Sequence, residues 1–257
     1  MVQTTRRIRE YMRVIDIVVE VVDARIPRSG RAPLLDKLAG KRPRLVALSR
    51  DDLADPATTQ LWLEDLAERG ARAVAIDGRK RGSVARLATA IAAFSSGEGR
   101  AAKVARAMIV GPPNSGKSTI VNALLRRGAA KTEDRAGVTR QMQWFRLAPN
   151  VELMDTPGVL PATISDEAAR WKLAICGAVP RNRYDPADVA NAFHGWLVAR
   201  RPRTAVPDLQ AFAAARGFIR HGGEVDYHNA AQSYVSAFND GVFGRISLEA
   251  PDDAEAA

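Results

Sequence analysis

The sequence lacks the features that mark disulfide-stabilised, secreted or membrane-spanning proteins. It has one cysteine, Cys176, which excludes an internal disulfide and a cysteine-rich metal site. Its apolar runs, such as Val18–Val22, are far shorter than the roughly 18 residues of a membrane helix. The arginines near the N-terminus are not followed by the apolar stretch of a secretory signal. These absences predict a protein of the reducing cytoplasm.

Lysine is scarce and arginine is abundant. Of the 38 Lys and Arg residues only seven are lysine, and 29 acidic residues leave a net charge of +9. Four of the acids lie in residues 249–257, so residues 1–248 carry +13. An arginine-rich surface suits phosphate recognition, because a guanidinium group can hold two oxygens at once. From the charge alone, nucleic-acid binding and a compositional preference for arginine explain the sequence equally well.

Up to residue 161, β-rich apolar runs alternate with segments of helical pattern. Strands are expected at Asp16–Asp23, Leu45–Leu48, Ala71–Ile76, Ala107–Val110, Met142–Leu147 and Val151–Met154. Helices are expected at Pro33–Leu38, Thr58–Arg69, Val84–Phe94 and Lys117–Leu125, with a flexible connection at Ser95–Gly99. This alternation predicts an α/β fold whose mainly parallel sheet is covered on both faces.

Past Pro161 the β pattern stops, and three helices are expected. The first begins at Asp185-Pro186, and the second covers Pro207–Arg216. The third follows Gly222-Gly223, and its apolar stripe is interpreted as core rather than as a base-stacking surface; it comprises Tyr227, Ala230, Ala231, Tyr234, Val235 and Phe238. The predicted division of the chain is an α/β domain at 1–161, a small all-α domain at 162–248 and a disordered acidic tail at 249–257.

Residues 111–118, Gly-Pro-Pro-Asn-Ser-Gly-Lys-Ser, match the phosphate-loop pattern GxxxxGK[ST]. The loop follows an expected strand and opens an expected helix, where backbone N–H groups surround phosphates at the positive end of the helix dipole. Lys117 is predicted to reach the β- and γ-phosphates and Ser118 to bind Mg²⁺. The other predicted nucleotide contacts of this loop are Asn114, Ser115, Gly116 and Thr119.

A second phosphate element, Asp155-Thr156-Pro157-Gly158, ends a later apolar strand. Asp155 lies where a carboxylate linked to Mg²⁺ is needed, and Gly158 would donate its N–H to the γ-phosphate. Thr139 is expected to close on Mg²⁺ when the γ-phosphate is present, with a plain surface role as the alternative. The predicted catalytic residues are Lys117, Thr139 and Gly158.

The usual guanine-recognition sequence, Asn-Lys-x-Asp, is absent after Gly158. A near match, Ser49-Arg50-Asp51-Asp52, ends an expected strand upstream. Asp52 is predicted to accept the N1 and N2 protons of guanine, and Arg50 to cover the base with its stem. Ile76, Asp77 and Gly78 end the next strand, where backbone contact with the base oxygen is expected. The base-recognition elements therefore precede the phosphate elements, and the usual order is rotated.

In this rotated order the sequence resembles the circularly permuted GTPases of the ribosome biogenesis GTPase A type (RbgA/YlqF), which have mitochondrial relatives. Residues 23–27, Asp-Ala-Arg-Ile-Pro, resemble the family's DARxP element, and residues 111–119 its GxPNxGKST loop. Residues 137–139 resemble its switch I, and residues 155–158 its DTPG turn. Since residues 222–227 and 244–249 also resemble the family's C-terminal domain, the similarity covers nearly the whole chain.

The resemblance implies a GTPase with Mg²⁺ that acts in assembly of the large ribosomal subunit and binds rRNA through its helical domain. Val159 stands where many GTPases have a water-orienting Gln, so slow intrinsic hydrolysis, stimulated by ribosomal subunits, is expected. Asn114 lies where relatives are thought to bind K⁺, and loop-shaping hydrogen bonds are the alternative. Two features depart from the family. Ser49-Arg50 is expected to weaken guanine affinity, and the absence of an aromatic segment before Arg6 is explained either by a truncated start or by the loss of an RNA contact.

Two other functions stay open at this level. A non-hydrolysing ribosome- or RNA-binding module would hold nucleotide as a structural ligand, and the Ser49-Arg50 departure favours it slightly. A third function, an ATPase, would require that Asp52 is unimportant for base recognition. The residues that favour the GTPase are Lys117, Ser118, Thr139 and Asp155. The three histidines lack metal-ligand spacing and are expected to be structural or surface residues.

Overall fold

The computed structural model describes residues 8–31, 35, 38–40, 42–94, 104–128, 143–158, 166–218 and 224–253. Its strands are β1 (Ile17–Asp23), β2 (Arg44–Ser49), β3 (Arg72–Ile76), β4 (Ala105–Val110), β5 (Gln143–Ala148) and β6 (Val151–Asp155). They form one sheet in the order β3-β2-β1-β4-β6-β5, and every neighbouring pair is parallel except the antiparallel β5 and β6. The α/β fold is confirmed, and each expected strand lies within two residues of its predicted bounds.

The strand β1 lies inside the sheet, and all seven of its residues are buried. Its side chains alternate between the two faces, because successive residues of a strand point to opposite sides. Val19 and Val21 belong to the core on one face, whereas Val18 and Val22 belong to cores on the other. A strand buried on both faces reads as a continuous apolar run, which explains why this segment was recognisable in the sequence.

Among the helices whose full bounds lie in the described residues, three pack against this sheet. They are α1 (Pro56–Glu68), α2 (Arg81–Ala92) and α3 (Lys117–Gly128). The side chains of α2 and α3 pack on the face that carries Val19, and Trp62 of α1 packs on the opposite face. Asp55 fixes the start of α1, because its carboxylate accepts the backbone N–H of Thr58 at 2.9 Å. The expected helix Pro33–Leu38 lies largely, and the connection Ser95–Gly99 entirely, outside the described residues.

The part of the chain after residue 165 is helical, as expected. Its helices are α4 (Glu167–Ile175), α5 (Pro186–Arg200), α6 (Leu209–Ala215) and α7 (Tyr227–Asn239). Their apolar faces share one core, which also includes Ile26 from the loop after β1. The helix α4 was not among the sequence predictions, and Tyr227, expected in the core, is 47% exposed. The boundary predicted at residue 161 falls between described residues and stays a prediction.

The prediction of a disordered acidic tail is wrong for residues 249–253. Glu249 is 2% exposed, and its carboxylate accepts the backbone N–H groups of Arg28 and Ser29 at 2.8 and 3.1 Å. It also forms an ion pair with Lys172 at 3.4 Å. The backbone carbonyl of Glu249 accepts the indole N–H of Trp62 at 3.0 Å. These partners come from distant parts of the chain, so the local sequence of acids gave no sign of them.

No helix within the described ranges is long and apolar enough to span a membrane. Cys176 is buried next to the helical core, and burial raises the pKa of its thiol to about 12. The thiol is therefore protonated at neutral pH, which makes it a packing group rather than a nucleophile.

Candidate nucleotide-binding site

The carboxyl ends of β1 and β4 mark the place where the order of the sheet reverses. The chain continues from β1 to β2 and β3 on one side, whereas β6 and β5 lie on the other side of β4. Loops that leave two such strands diverge and leave a crevice, which is the usual ligand site of open α/β sheets. Residues 111–116 follow β4 at this crevice, and Asp155 ends the adjacent strand β6.

The phosphate loop passes close to β1 in a conformation that needs glycine at two places. A Cβ atom on Gly111 would lie 2.3 Å from the carbonyl oxygen of Val21, which no side chain tolerates. Gly116 has φ +83°, in the left-handed region that favours glycine. Asn114 also adopts a positive φ of 56°, and its side-chain amide donates to the carbonyl of Gly177 at 2.7 Å. The loop is thus tied to the segment that follows α4.

Lys117 and Asp155, predicted from two separate motifs, lie together at the bottom of the crevice. The Nζ atom of Lys117 is 3.2 Å from Oδ1 of Asp155, and the two residues are 6% and 4% exposed. Lys117 is the first residue of α3, so its ammonium group lies at the end of the helix where backbone N–H groups are free of partners within the helix. The pair brings a cation and a carboxylate to one buried spot beside the loop.

The turn after β6 is held against the phosphate loop. The Thr156 hydroxyl donates to the carbonyl of Ile109 at 2.9 Å, which fastens the turn to β4. Gly158 lies so close to the loop that a Cβ atom there would be 2.9 Å from the backbone of Pro113. Thr139, predicted to bind Mg²⁺, and Val159, which follows Gly158, both lie outside the described residues.

A cavity of about 300 Å³ lies beside the loop, at the carboxyl ends of β2 and β3. It brings together most of the residues predicted for base recognition, although they come from two strand ends. Its walls include Ser49, Arg50, Asp52, Asp77, Gly78, Gly116 and Thr119. Ile76 is not part of the wall: it is fully buried, and its carbonyl accepts the backbone N–H of Asp51 at 3.2 Å. The backbone contact expected from Ile76 is therefore not found at the cavity wall.

The carboxylate of Asp52 forms an ion pair with Arg79, a residue that the sequence motifs did not single out. Asp77 turns inward and accepts the backbone N–H of Arg79 at 3.0 Å. Arg79 directly follows Ile76-Asp77-Gly78, so its position after the strand is a sequence signal that could have identified it. Its side chain is 73% exposed and can leave Asp52 at little cost, since exposed ion pairs contribute about 0–1 kcal/mol.

Ser49 and Arg50, which depart from the usual Asn-Lys, both contact the phosphate loop. The Ser49 hydroxyl lies 2.5 Å from the carbonyl oxygen of Ser115 and 3.1 Å from that of Val22. The Ser49 hydroxyl therefore connects the end of β2 to the phosphate loop. Arg50 has φ +55° and donates to the carbonyl of Asn114 at 2.8 Å.

The DARxP element contains a buried ion pair, and its arginine contacts the helical region. Arg25 is 1% exposed, and its Nη2 lies 2.8 Å from Oδ2 of Asp23. Burial by itself would raise the pKa of Asp23, but the charge of Arg25 and its hydrogen bonds outweigh burial and lower this pKa below its usual value. The Arg25 guanidinium also lies 4.7 Å from the centre of the Phe238 ring and 3.2 Å from Oδ1 of Asn239. Sequence reasoning recognised Arg25 only as part of a motif, and nothing in the spacing identified Asn239.

The phosphate loop after β4, the acid after β6 and the parallel sheet define a P-loop nucleotide-binding protein of the GTPase class. Residues 106–183 match the family model described as 50S ribosome-binding GTPase. A curated relative, ribosome biogenesis GTPase A of Priestia megaterium, is 34% identical over 276 residues, covering 99% of this chain and 96% of the relative. The chain belongs to the ribosome biogenesis GTPase A family, which confirms the resemblance seen in its motifs.

Solved structures agree with this assignment. The chain is similar to a GDP-bound structure of TM YlqF, with a TM-score of 0.77 and 29% identity, over 96% of this chain and 100% of that one. It is also similar to a crystal structure of GNP-bound YlqF from T. maritima, with a TM-score of 0.77 and 27% identity, over 98% and 99% of the two chains.

Proposed function

We propose that this GTPase binds and hydrolyses GTP as an assembly factor for the large ribosomal subunit. The observation that supports the nucleotide site most directly is the 3.2 Å contact of Lys117 with Asp155 beside the phosphate loop. A phosphate chain seated on the loop would meet the ammonium group of Lys117, while Asp155 would face the metal ion that accompanies it.

The residues next to the loop suit Mg²⁺. Ser118 and Asp155 offer the hard oxygen donors that this ion prefers, with Thr139 proposed as a further ligand. No group of three His, Cys, Asp or Glu side chains able to hold a metal occurs in the described part of the chain. Nucleotide oxygens and water would complete the shell, as is usual for Mg²⁺ at phosphate sites. When bound, the ion neutralises charge between the β- and γ-phosphates.

The proposed catalytic roles belong to Lys117, Thr139 and Gly158. The Lys117 ammonium stabilises the charge that develops on the phosphoryl oxygens, and the Gly158 N–H donates to the γ-phosphate. A valine at 159 has no polar group with which to orient water. Intrinsic turnover is therefore slow, and the ribosomal subunit supplies the missing catalytic help. Asn114 is the proposed ligand for K⁺; its present hydrogen bond to Gly177 supports the loop-shaping alternative.

Guanine is proposed to bind in the 300 Å³ cavity, with Asp52 exchanging Arg79 for the N1 and N2 protons of the base. Arg50 would cover the base, while Ser49, Asp77, Gly78, Ser115, Gly116 and Thr119 complete the contacts. In this arrangement the base elements precede the phosphate loop in the chain, which is the circularly permuted order.

Because Asp52 reads guanine through two hydrogen bonds, the protein is expected to bind GDP at least tenfold more tightly than ADP. Asp52→Asn should remove most of this preference, since an amide donates where the base also donates. Asp51→Asn, one residue away, is the matched control and should keep it. Titration of the wild type and both variants with fluorescent GDP and ADP measures the six affinities, and equal affinity of the wild type for GDP and ADP would refute the role of Asp52.

The helical region is proposed to bind rRNA at an arginine-rimmed cleft. A cavity of about 490 Å³ has an apolar floor that includes Val206 and Phe243, and the exposed Arg201 and Arg216 lie on its wall. Arg203 lines a neighbouring depression together with Arg201. Single-stranded RNA is recognised by such combinations, in which guanidinium groups hold phosphates and an apolar surface accepts an unstacked base. Subunit binding should accordingly weaken steeply with salt.

The central test is GTP hydrolysis with and without large ribosomal subunits in K⁺ buffer. Subunits are expected to raise the rate at least tenfold, and Na⁺ in place of K⁺ should lower it if Asn114 holds K⁺. Arg201→Glu with Arg203→Glu should lose the stimulation while GDP affinity stays unchanged.

A rate that stays at zero with subunits present, in a protein that still binds GDP, would contradict the GTPase factor. That result would favour the alternative, a non-hydrolysing ribosome- or RNA-binding module with structural nucleotide. The single, buried cysteine supports a cytoplasmic location, which is part of the same proposal.

A further inference from the structure

The helix α7 of the helical region ends inside the wall of the base cavity. Asn239, its last residue, and the following Asp240 line the cavity together with Arg50 and Asp52. A residue far along the chain from the base element thus belongs to the same pocket. The DARxP element lies directly behind this point, because Arg25 contacts both Phe238 and Asn239.

Asn239 uses both ends of its amide in this position. Its Oδ1 accepts from Nη1 of Arg50 at 3.1 Å and from Nη2 of Arg25 at 3.2 Å. Its Nδ2 donates to the carbonyls of Ile175 and Val235 at 2.6 and 3.0 Å. Donors face the oxygen and acceptors face the nitrogen, so the network fixes the orientation of the amide.

Arg50 is the residue whose position depends on this amide. Its guanidinium group is held from two sides, by Asn239 and by the carbonyl of Asn114 in the phosphate loop. A Cβ atom on Gly116 would lie 4.0 Å from Cγ of Arg50, so the stem of the arginine runs over the floor of the cavity. A free arginine side chain has many rotamers, and two anchored ends restrict it to the few that cover this floor.

We infer that Asn239 is a positioning residue for nucleotide binding, which holds Arg50 across the base cavity only while α7 is packed against the loops that follow β1 and β2. The inference rests on the proposed function, in which Arg50 covers guanine. It makes nucleotide affinity a property of both structural regions. By thermodynamic linkage, bound guanine nucleotide stabilises the docked position of α7 to the same extent.

The test compares two substitutions at one position. Asn239→Ala removes one of the two acceptors that hold Arg50, and the affinity for fluorescent GDP should fall about tenfold. Asn239→Asp keeps an acceptor for both arginines but loses the donors to Ile175 and Val235. It should keep GDP affinity within about threefold of the wild type while the nucleotide-free melting temperature falls. Asn229→Ala, at the exposed start of the same helix, is the control: it removes a hydrogen bond to Asp226, so the melting temperature should fall slightly while GDP affinity stays unchanged.

A double-mutant cycle with Arg50→Ala tests whether the effect passes through Arg50. Adding Asn239→Ala to Arg50→Ala should cause no further loss of GDP affinity. The inference is overturned if Asn239→Ala leaves GDP affinity unchanged, if both substitutions at 239 lower affinity equally, or if the losses at 50 and 239 are additive. Failure of the wild type to bind GDP at all would instead refute the proposed function, whereas binding that is lost in Lys117→Ala upholds it.

Discussion

Lys117→Ala is expected to abolish measurable GTP binding, with a loss of at least a hundredfold in affinity. The lysine is the cation at the bottom of the crevice, 3.2 Å from Asp155, and only 6% of it is exposed. Charge-assisted hydrogen bonds are about twice as strong as neutral ones, and burial reduces screening by water. The substitution also leaves the carboxylate of Asp155 without the neighbouring positive charge, so the triphosphate would be repelled by it.

Titration with a fluorescent GTP analogue measures this loss, and the nucleotide-free melting curve shows whether the variant is folded. Lys80→Ala is the matched control. Lys80 lies at the same edge of the sheet, but it is 74% exposed and pairs with Asp77 at 3.6 Å. Lys80→Ala should therefore change GTP affinity less than threefold. Unchanged affinity in Lys117→Ala would refute the assignment of the phosphate loop.

Arg25→Ala is expected to lower the free energy of unfolding by about 3–5 kcal/mol, because it leaves the carboxylate of Asp23 buried without its closest partner. The arginine is 1% exposed in the wild type. The substitution also removes its stacking on Phe238 and its hydrogen bond to Asn239. Arg25→Lys should recover only part of the loss, since an ammonium group cannot hold both oxygens of Asp23. Arg106→Ala is the control: this exposed arginine pairs with Glu152 at the surface, and its loss should cost less than about 1 kcal/mol.

The penalty for losing Arg25 should depend on pH in a defined direction. In the wild type the pKa of Asp23 is lowered, so its contribution to stability is full above its usual value and is lost as the pH falls below about 4. Without Arg25, burial favours the protonated form of Asp23, so the Arg25→Ala variant loses less stability on acidification. Urea unfolding at pH 7 and pH 4 should therefore give a smaller difference between the two proteins at pH 4. A difference that does not shrink would contradict the role of the pair.

The sheet and the positions of the phosphate-loop residues were readable from the sequence, because short-range patterns determine them. The strands of the inner sheet are buried on both faces, and β1 illustrates the resulting apolar run. Lys117 and Asp155 belong to loops that follow adjacent parallel strands, so the topology brings them together. The roles of these residues in binding and catalysis stay predictions.

The features that the sequence did not reveal depend on contacts between distant residues. Glu249 looks like one acid in a solvated tail, yet the backbone of residues 28–29 and Lys172 meet its carboxylate. The helix α4 is short, and charged residues such as Arg170 interrupt its apolar pattern. Its buried residues Leu173 and Ile175 belong to the core only because the other helices pack against them. Asn239 has no motif around it, and its role depends on the register in which α7 ends at the cavity.

The anchoring of Glu249 on the loop at residues 28–29 has a consequence for how the chain is made. The two partners are separated by about 220 residues of sequence. At translation rates of roughly 5–20 residues per second, the loop after β1 waits on the order of 10–40 s before the segment that clamps it is synthesised. Contacts of such high sequence separation also form late in folding. The nascent chain therefore leaves the backbone of residues 28–29 without this partner until synthesis is almost complete. The base cavity is also completed late, because Asn239 and Asp240 of its wall are made long after the phosphate loop.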